Sequence, residues 1–67
     1  MQITHAIQES PTKVSVCVLT NEGKAIEVTL RALDDRLLIE AEKEDGTQRG
    51  FFLEDQALTC VMSGNRA

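Results

Sequence analysis

The residues able to do covalent or acid–base chemistry in this chain are few and far apart. His5 is the only histidine, and Cys17 and Cys60 are the only thiols. A cysteine or serine nucleophile needs a neighbouring base that a third group holds in place, and no local signature links His5 to Cys17, Cys60 or any serine. The same three residues could offer a metal three ligands. Structural zinc sites, however, show tight Cys-x-x-Cys or His-x-x-x-His spacing, which this sequence lacks. Both thiols read as reduced, small core or near-core residues. Six of the eleven acids fall at Asp34, Asp35, Glu40, Glu42, Glu44 and Asp45. A calcium loop of the EF-hand type would need ligands at fixed alternate positions around a central glycine between two helices. The acids here are instead spaced as turn residues and the wet face of a strand, and a charge run of this size is ordinarily solvated. No catalytic residue, metal site or cofactor is expected, and the chain reads as non-enzymatic.

Charge argues against a phosphate-backbone binder. Seven basic and eleven acidic side chains leave a formal charge of −4, and the sequence pI is near 4.8. The cations stand singly, at Lys13, Lys24, Arg31, Arg36, Lys43, Arg49 and Arg66, without the clustering that counterion release rewards. Arg49-Gly50-Phe51 resembles the start of an RNA-recognition strand, in which aromatic rings stack on bases. That module needs helices between its strands and a longer chain, so Phe51 reads as a core residue and Phe52 as an apolar residue of the outer face. Direct nucleic-acid binding is disfavoured.

With 67 residues, of which 42% are hydrophobic, the chain has room for one small globular domain with a thin margin of stability. The longest uninterrupted apolar stretch, Val16 to Leu19, is far below the ~20 residues of a membrane-crossing helix. The N-terminal residues lack the basic and then apolar order of a signal peptide. A cytoplasmic location, no membrane partner, a single β-rich domain over 1–62 and a flexible C-terminal tail over 63–67 are the expectations.

The elements that must position any site are strands. From Lys13, Val14, Val16 and Val18 alternate with Ser15, Cys17 and Leu19, and after Asn21-Glu22-Gly23 the alternation resumes with Ile26, Val28 and Leu30. If Gly23 supplies the left-handed position of a three-residue loop, Val18 meets Ile26, Val16 meets Val28 and Val14 meets Leu30. A slip by one residue would scramble both faces. A third strand over Arg36 to Lys43 continues the apolar side through Leu37, Ile39 and Ala41, at the expense of setting Glu27 opposite Glu42. Glu44-Asp45-Gly46 repeats the loop chemistry and pairs Ile39 with Phe51 and Leu37 with Leu53. Ile3, His5 and Ile7 alternate as an edge strand that ends before Pro11. The segment Glu54 to Ser63 fits either a helix, capped by Asp55 and Gly64, or a strand through Thr59-Cys60-Val61.

The fold expected is therefore mainly β: an antiparallel meander of four to five strands forming a small SH3-like or Sm-like half-barrel, with a C-terminal strand or short helix. Its inward face would be the core. The opposite face still carries Cys17, Leu19, Leu38 and Phe52, which either the terminal segments cover or a partner does. Leu19, Leu38 and Phe52 form the candidate interaction patch. The function expected is a small accessory or regulatory protein that acts through protein–protein interaction, by a sheet edge or by this patch. Its partner would be another protein or a second copy in a homodimer. The alternative is a nucleic-acid-associated small-barrel regulator.

Overall fold

A computed structural model describes residues 1–55 and 57–65, and every regular element among these residues is a β-strand. The strands are β1 (Gln2–Ser10), β2 (Lys13–Leu19), β3 (Ala25–Ala32), β4 (Leu37–Lys43), β5 (Thr47–Glu54) and β6 (Ala57–Asn65). They form one six-stranded sheet in the order β1-β2-β3-β4-β5-β6, each pair antiparallel. The antiparallel meander is as the alternation implied, with six strands in place of four or five.

The glycine-closed loops set the register. Thr20 N donates to Lys24 O at 2.8 Å and Gly23 N to Thr20 O at 3.0 Å, with Gly23 at φ 83°. That left-handed conformation is open to glycine without strain. Val18 consequently lies opposite Ile26, Val16 opposite Val28 and Val14 opposite Leu30. The second loop has the same design: Gly46 at φ 89° donates to Lys43 O at 3.0 Å, and the Asp45 carboxylate accepts from Thr47 N at 2.9 Å. Ile39 then faces Phe51, and Leu37 faces Leu53. Between these hairpins Leu33 N donates to Arg36 O at 2.8 Å, which pairs Ala32 with Leu37, Leu30 with Ile39 and, at the far end, Glu27 with Glu42.

The two outer strands depart from the simple alternation. A bulge between Ile3 and His5 sets Ile3 opposite Val18 but His5 and Ile7 opposite Cys17 and Ser15, so Ile3 shares the valine face while His5 and Ile7 lie on the other. The C-terminal segment is strand, not helix. Asp55, at φ 55°, turns the chain so that Glu54 pairs with Ala57, a conformation aspartate tolerates better than most residues. Strand β6 runs on through Ser63 and Gly64 to Asn65, into the stretch expected as a tail, and Gly64 is a strand residue instead of a helix cap. Arg66 and Ala67 lie outside the described residues.

The expected interior does not close. Over residues 1–55, 57–60 and 63–64 no hydrophobic side chain is buried, and Gly50 alone is buried. The physical reason is the layer count: one face of a sheet is buried only against a second element, and here β1 and β6 lengthen the same sheet instead of folding across it. The valine face is nevertheless half-buried, and the sheet is not flat. The Cα extents are 35 × 25 × 22 Å, whereas a flat sheet would be only a pleat thick in its shortest direction.

Candidate functional site

The residues expected to form an interaction patch do not meet as one. Leu38 and Phe52 are directly opposite on β4 and β5, both half-buried. Leu19 shares their face but pairs with Ala25, whereas Leu38 pairs with Arg31. Ala25 and Arg31 are about six residues apart on β3, so Leu19 stands roughly 20 Å from the Leu38–Phe52 pair, at the other end of the sheet. The terminal strands do not cover this pair. The Arg36 guanidinium does, lying 3.9 Å from the centre of the Phe52 ring, a cation–π contact that shields a single aromatic.

Apart from Ile7, Cys17 and Ala25 the rest of that face is mostly polar, and its cations are paired. Lys13 Nζ is 3.0 Å from Glu9, whose other carboxylate oxygen accepts from Ser15 Oγ at 2.8 Å. These partners, Ser15 first and then Lys13, hold the Glu9 carboxyl below its ordinary value. Arg31 Nε lies 3.5 Å from Glu40, Arg36 Nε lies 3.9 Å from Asp35, and Gln48 Nε2 donates to Glu42 at 3.2 Å. A shallow groove of about 230 Å³ runs between Glu27, Thr29, Arg31, Glu40, Glu42 and Gln48. Lys13, Arg31 and Arg36 each already face a carboxylate, so this surface offers no unmatched run of cations for a phosphate backbone.

Sequence spacing did not reveal that His5 and Cys17 are cross-strand partners, with Glu27 on the far side of Cys17. The bulge at Thr4 creates that pairing, and a strict period of two conceals it. The pair is not a nucleophile and base held in hydrogen-bonded order: Cys17 is half-buried, His5 is exposed, and the bond next to them joins Thr4 Oγ1 to the Cys17 carbonyl at 3.3 Å. Cys60, which read as a core or near-core residue, is exposed on β6, and neither Cys17 nor Cys60 is disulfide-bonded. No cluster of three or more His, Cys, Asp or Glu side chains among the described residues could hold a metal ion.

A cleft of about 440 Å³ lies between the two glycine-closed loops, lined by Thr20, Glu22, Lys24, Ala25, Ile26, Lys43, Glu44 and Asp45. Three of its polar side chains are hydrogen-bonded to backbone nearby. Glu44 accepts from Ala25 N at 3.2 Å, Thr20 Oγ1 accepts from Lys24 N at 3.1 Å, and the Asp45 carboxyl is lowered by its hydrogen bonds to Thr47.

What remains is the valine face. Register places Gln8, Val14, Leu30, Ile39, Phe51 and Cys60 in one row across all six strands. A second row runs Ala6, Val16, Val28 and Ala41, and a third Ile3, Val18 and Ile26. The second row ends on Arg49 and Ser63 and the third on Lys43, so the apolar surface spans β1 to β4 there and reaches β6 through Phe51, Leu53, Leu58 and Cys60. It is barest at the margins, where Ile3 is 68% and Leu58 60% exposed. All strand-borne acids (Glu9, Glu27, Glu40, Glu42 and Glu54) project from the opposite face or toward its partners, by alternation and by the bonds given above.

No helix among the described residues is long and apolar enough to cross a membrane. The chain matches no protein-family model, and neither the curated proteins nor the solved structures hold a significant match to it.

Proposed function

We propose that the chain is a non-enzymatic interaction module, a small accessory or regulatory protein, and that its valine face is the surface on which a protein partner docks. In this reading the curled meander is a half-barrel of the SH3-like or Sm-like kind whose open side the partner completes. The observation that carries it is the pairing of a largely apolar sheet face with the absence of any buried hydrophobic side chain over residues 1–55, 57–60 and 63–64. A sheet of this kind leaves its driving force for association unspent, since apolar area removed from water is the dominant favourable term in both folding and docking. The charged face, by contrast, pairs its cations Lys13, Arg31 and Arg36 with carboxylates and suits solvent.

Adjacent residues of β3 provide the test, because Val28 and Thr29 point to opposite faces. A photo-crosslinking amino acid placed at position 28 in the native cell should give protein adducts, and the same group at position 29 should give few. Adducts from position 29 alone, or from neither, would reject the proposal.

A further inference from the structure

We infer that the partner on the valine face is a second copy of this chain, packed face to face to make a two-layer β-sandwich. The inference rests on the docking role proposed above and adds the identity of the occupant. Three observations support it.

The first is area. The single chain exposes 4998 Å², whereas a compact monomer of 7.4 kDa exposes about 4200 Å². The excess, about 800 Å², equals one partner's share of a standard protein–protein interface. The radius of gyration agrees: 12.5 Å, against about 11 Å for a compact domain of this length.

The second is charge. A copy of net charge −4 should repel itself, yet the acids are distributed so that face-to-face contact avoids this. Six of the eleven lie in turns, at Glu22, Asp34, Asp35, Glu44, Asp45 and Asp55, and the strand-borne five lie away from the valine face. Its only charged strand residues are Lys43 and Arg49, near the Gly46 turn, where an interface rim stays wet. A face that is apolar and free of acids is complementary to itself, as a two-fold interface requires.

The third is the edges. The interior pairings β2·β3, β3·β4 and β4·β5 are regular, while the outer pairings carry the irregularities: two in β1·β2 and one in β5·β6. Bulged edges resist strand addition, which directs self-association to the face and away from a continuous edge-to-edge sheet.

Two measurements on the full chain test this together. Sedimentation equilibrium should give twice 7.4 kDa, and Ile39→Glu, near the centre of the face, should weaken the dimer about a thousandfold, since each copy loses a central contact worth roughly thirtyfold. In case Ile39→Glu unfolds, wild-type chains labelled separately with ¹³C and ¹²C and then mixed should give intermolecular methyl NOEs among Val28, Leu30 and Ile39. Intermolecular NOEs confined to β1 or β6 backbone protons would overturn the inference, as would a folded wild-type monomer at millimolar concentration. If such a monomer binds an apolar dye strongly, the docking reading stands without the second copy. If it does not, both fall.

Discussion

Replacing Gly23 by alanine isolates the conformational requirement of the turn that sets the whole register. Gly23 sits at φ 83°, and a Cβ built there meets no atom within 4 Å. Steric clash with neighbours therefore contributes nothing, and the penalty is the left-handed backbone alone, about 1–2 kcal/mol for an L-residue with a Cβ. With a urea m-value near the low end for small proteins, ~1 kcal/mol/M, the midpoint should fall by about 1–2 M at constant slope and fixed protein concentration. Gly23→Asn should recover most of the loss, because asparagine visits the left-handed region more readily. Gly64→Ala is the internal control. Its Cβ also meets nothing within 4 Å, and Gly64 lies in β6 without a positive φ, so alanine should be neutral or slightly stabilising. Urea denaturation followed by circular dichroism reads all three variants. Equal losses for Gly23→Ala and Gly64→Ala, or no loss for either, would refute the turn geometry on which the register rests.

Other perturbations follow from particular contacts. Arg36→Ala should lower stability by about 0.5–1 kcal/mol through loss of the guanidinium over Phe52, with Arg36→Lys in between, as a thermal melt would show. Glu27→Gln should raise stability by a few tenths of a kcal/mol by relieving the like-charge pairing with Glu42, read from the shift in urea midpoint. The carboxyls of Glu9 and Asp45 are lowered in the folded chain from ordinary values of 4.5 and 3.8. Folding thus favours their ionised forms, and this contribution is present above those values and lost as pH falls through the lowered ones. Ser15→Ala removes the leading cause for Glu9 and should move its carboxyl upward in an NMR titration, leaving Asp45 unchanged.

The hairpins were legible because their sequences state two things at once. Val14, Val16 and Val18 fix which side is apolar, and Gly23 fixes where the chain turns, so the two constraints agree on one register. The same holds for Ile39 and Phe51 across the Gly46 turn. β6 was ambiguous because Ala57 and Leu58 suit either a helical or an extended face, and Asp55-Gln56 is not a strong hairpin dipeptide such as Asn-Gly. The Thr4 bulge was invisible because a one-residue insertion leaves composition unchanged while exchanging the faces of everything before it. Most consequentially, alternation identifies an apolar face but not what covers it. Val28 and Ile39 have the same pattern whether they line a core or an interface, and only the layer count separates the two. For the same reason the expected patch dissolved: Leu19, Leu38 and Phe52 share a parity but not a neighbourhood.

The dependence of wild-type stability on protein concentration tests most directly whether one chain can supply its own interior. If a second copy covers the valine face, unfolding includes dissociation, and a hundredfold increase in concentration adds about 2.7 kcal/mol to the apparent stability. Two chains unfold in one event, which doubles the slope to ~2 kcal/mol/M, so the urea midpoint should then rise by about 1.4 M. A cooperative transition whose midpoint stays fixed over that range would mean that a single sheet stabilises itself, and would contradict the account.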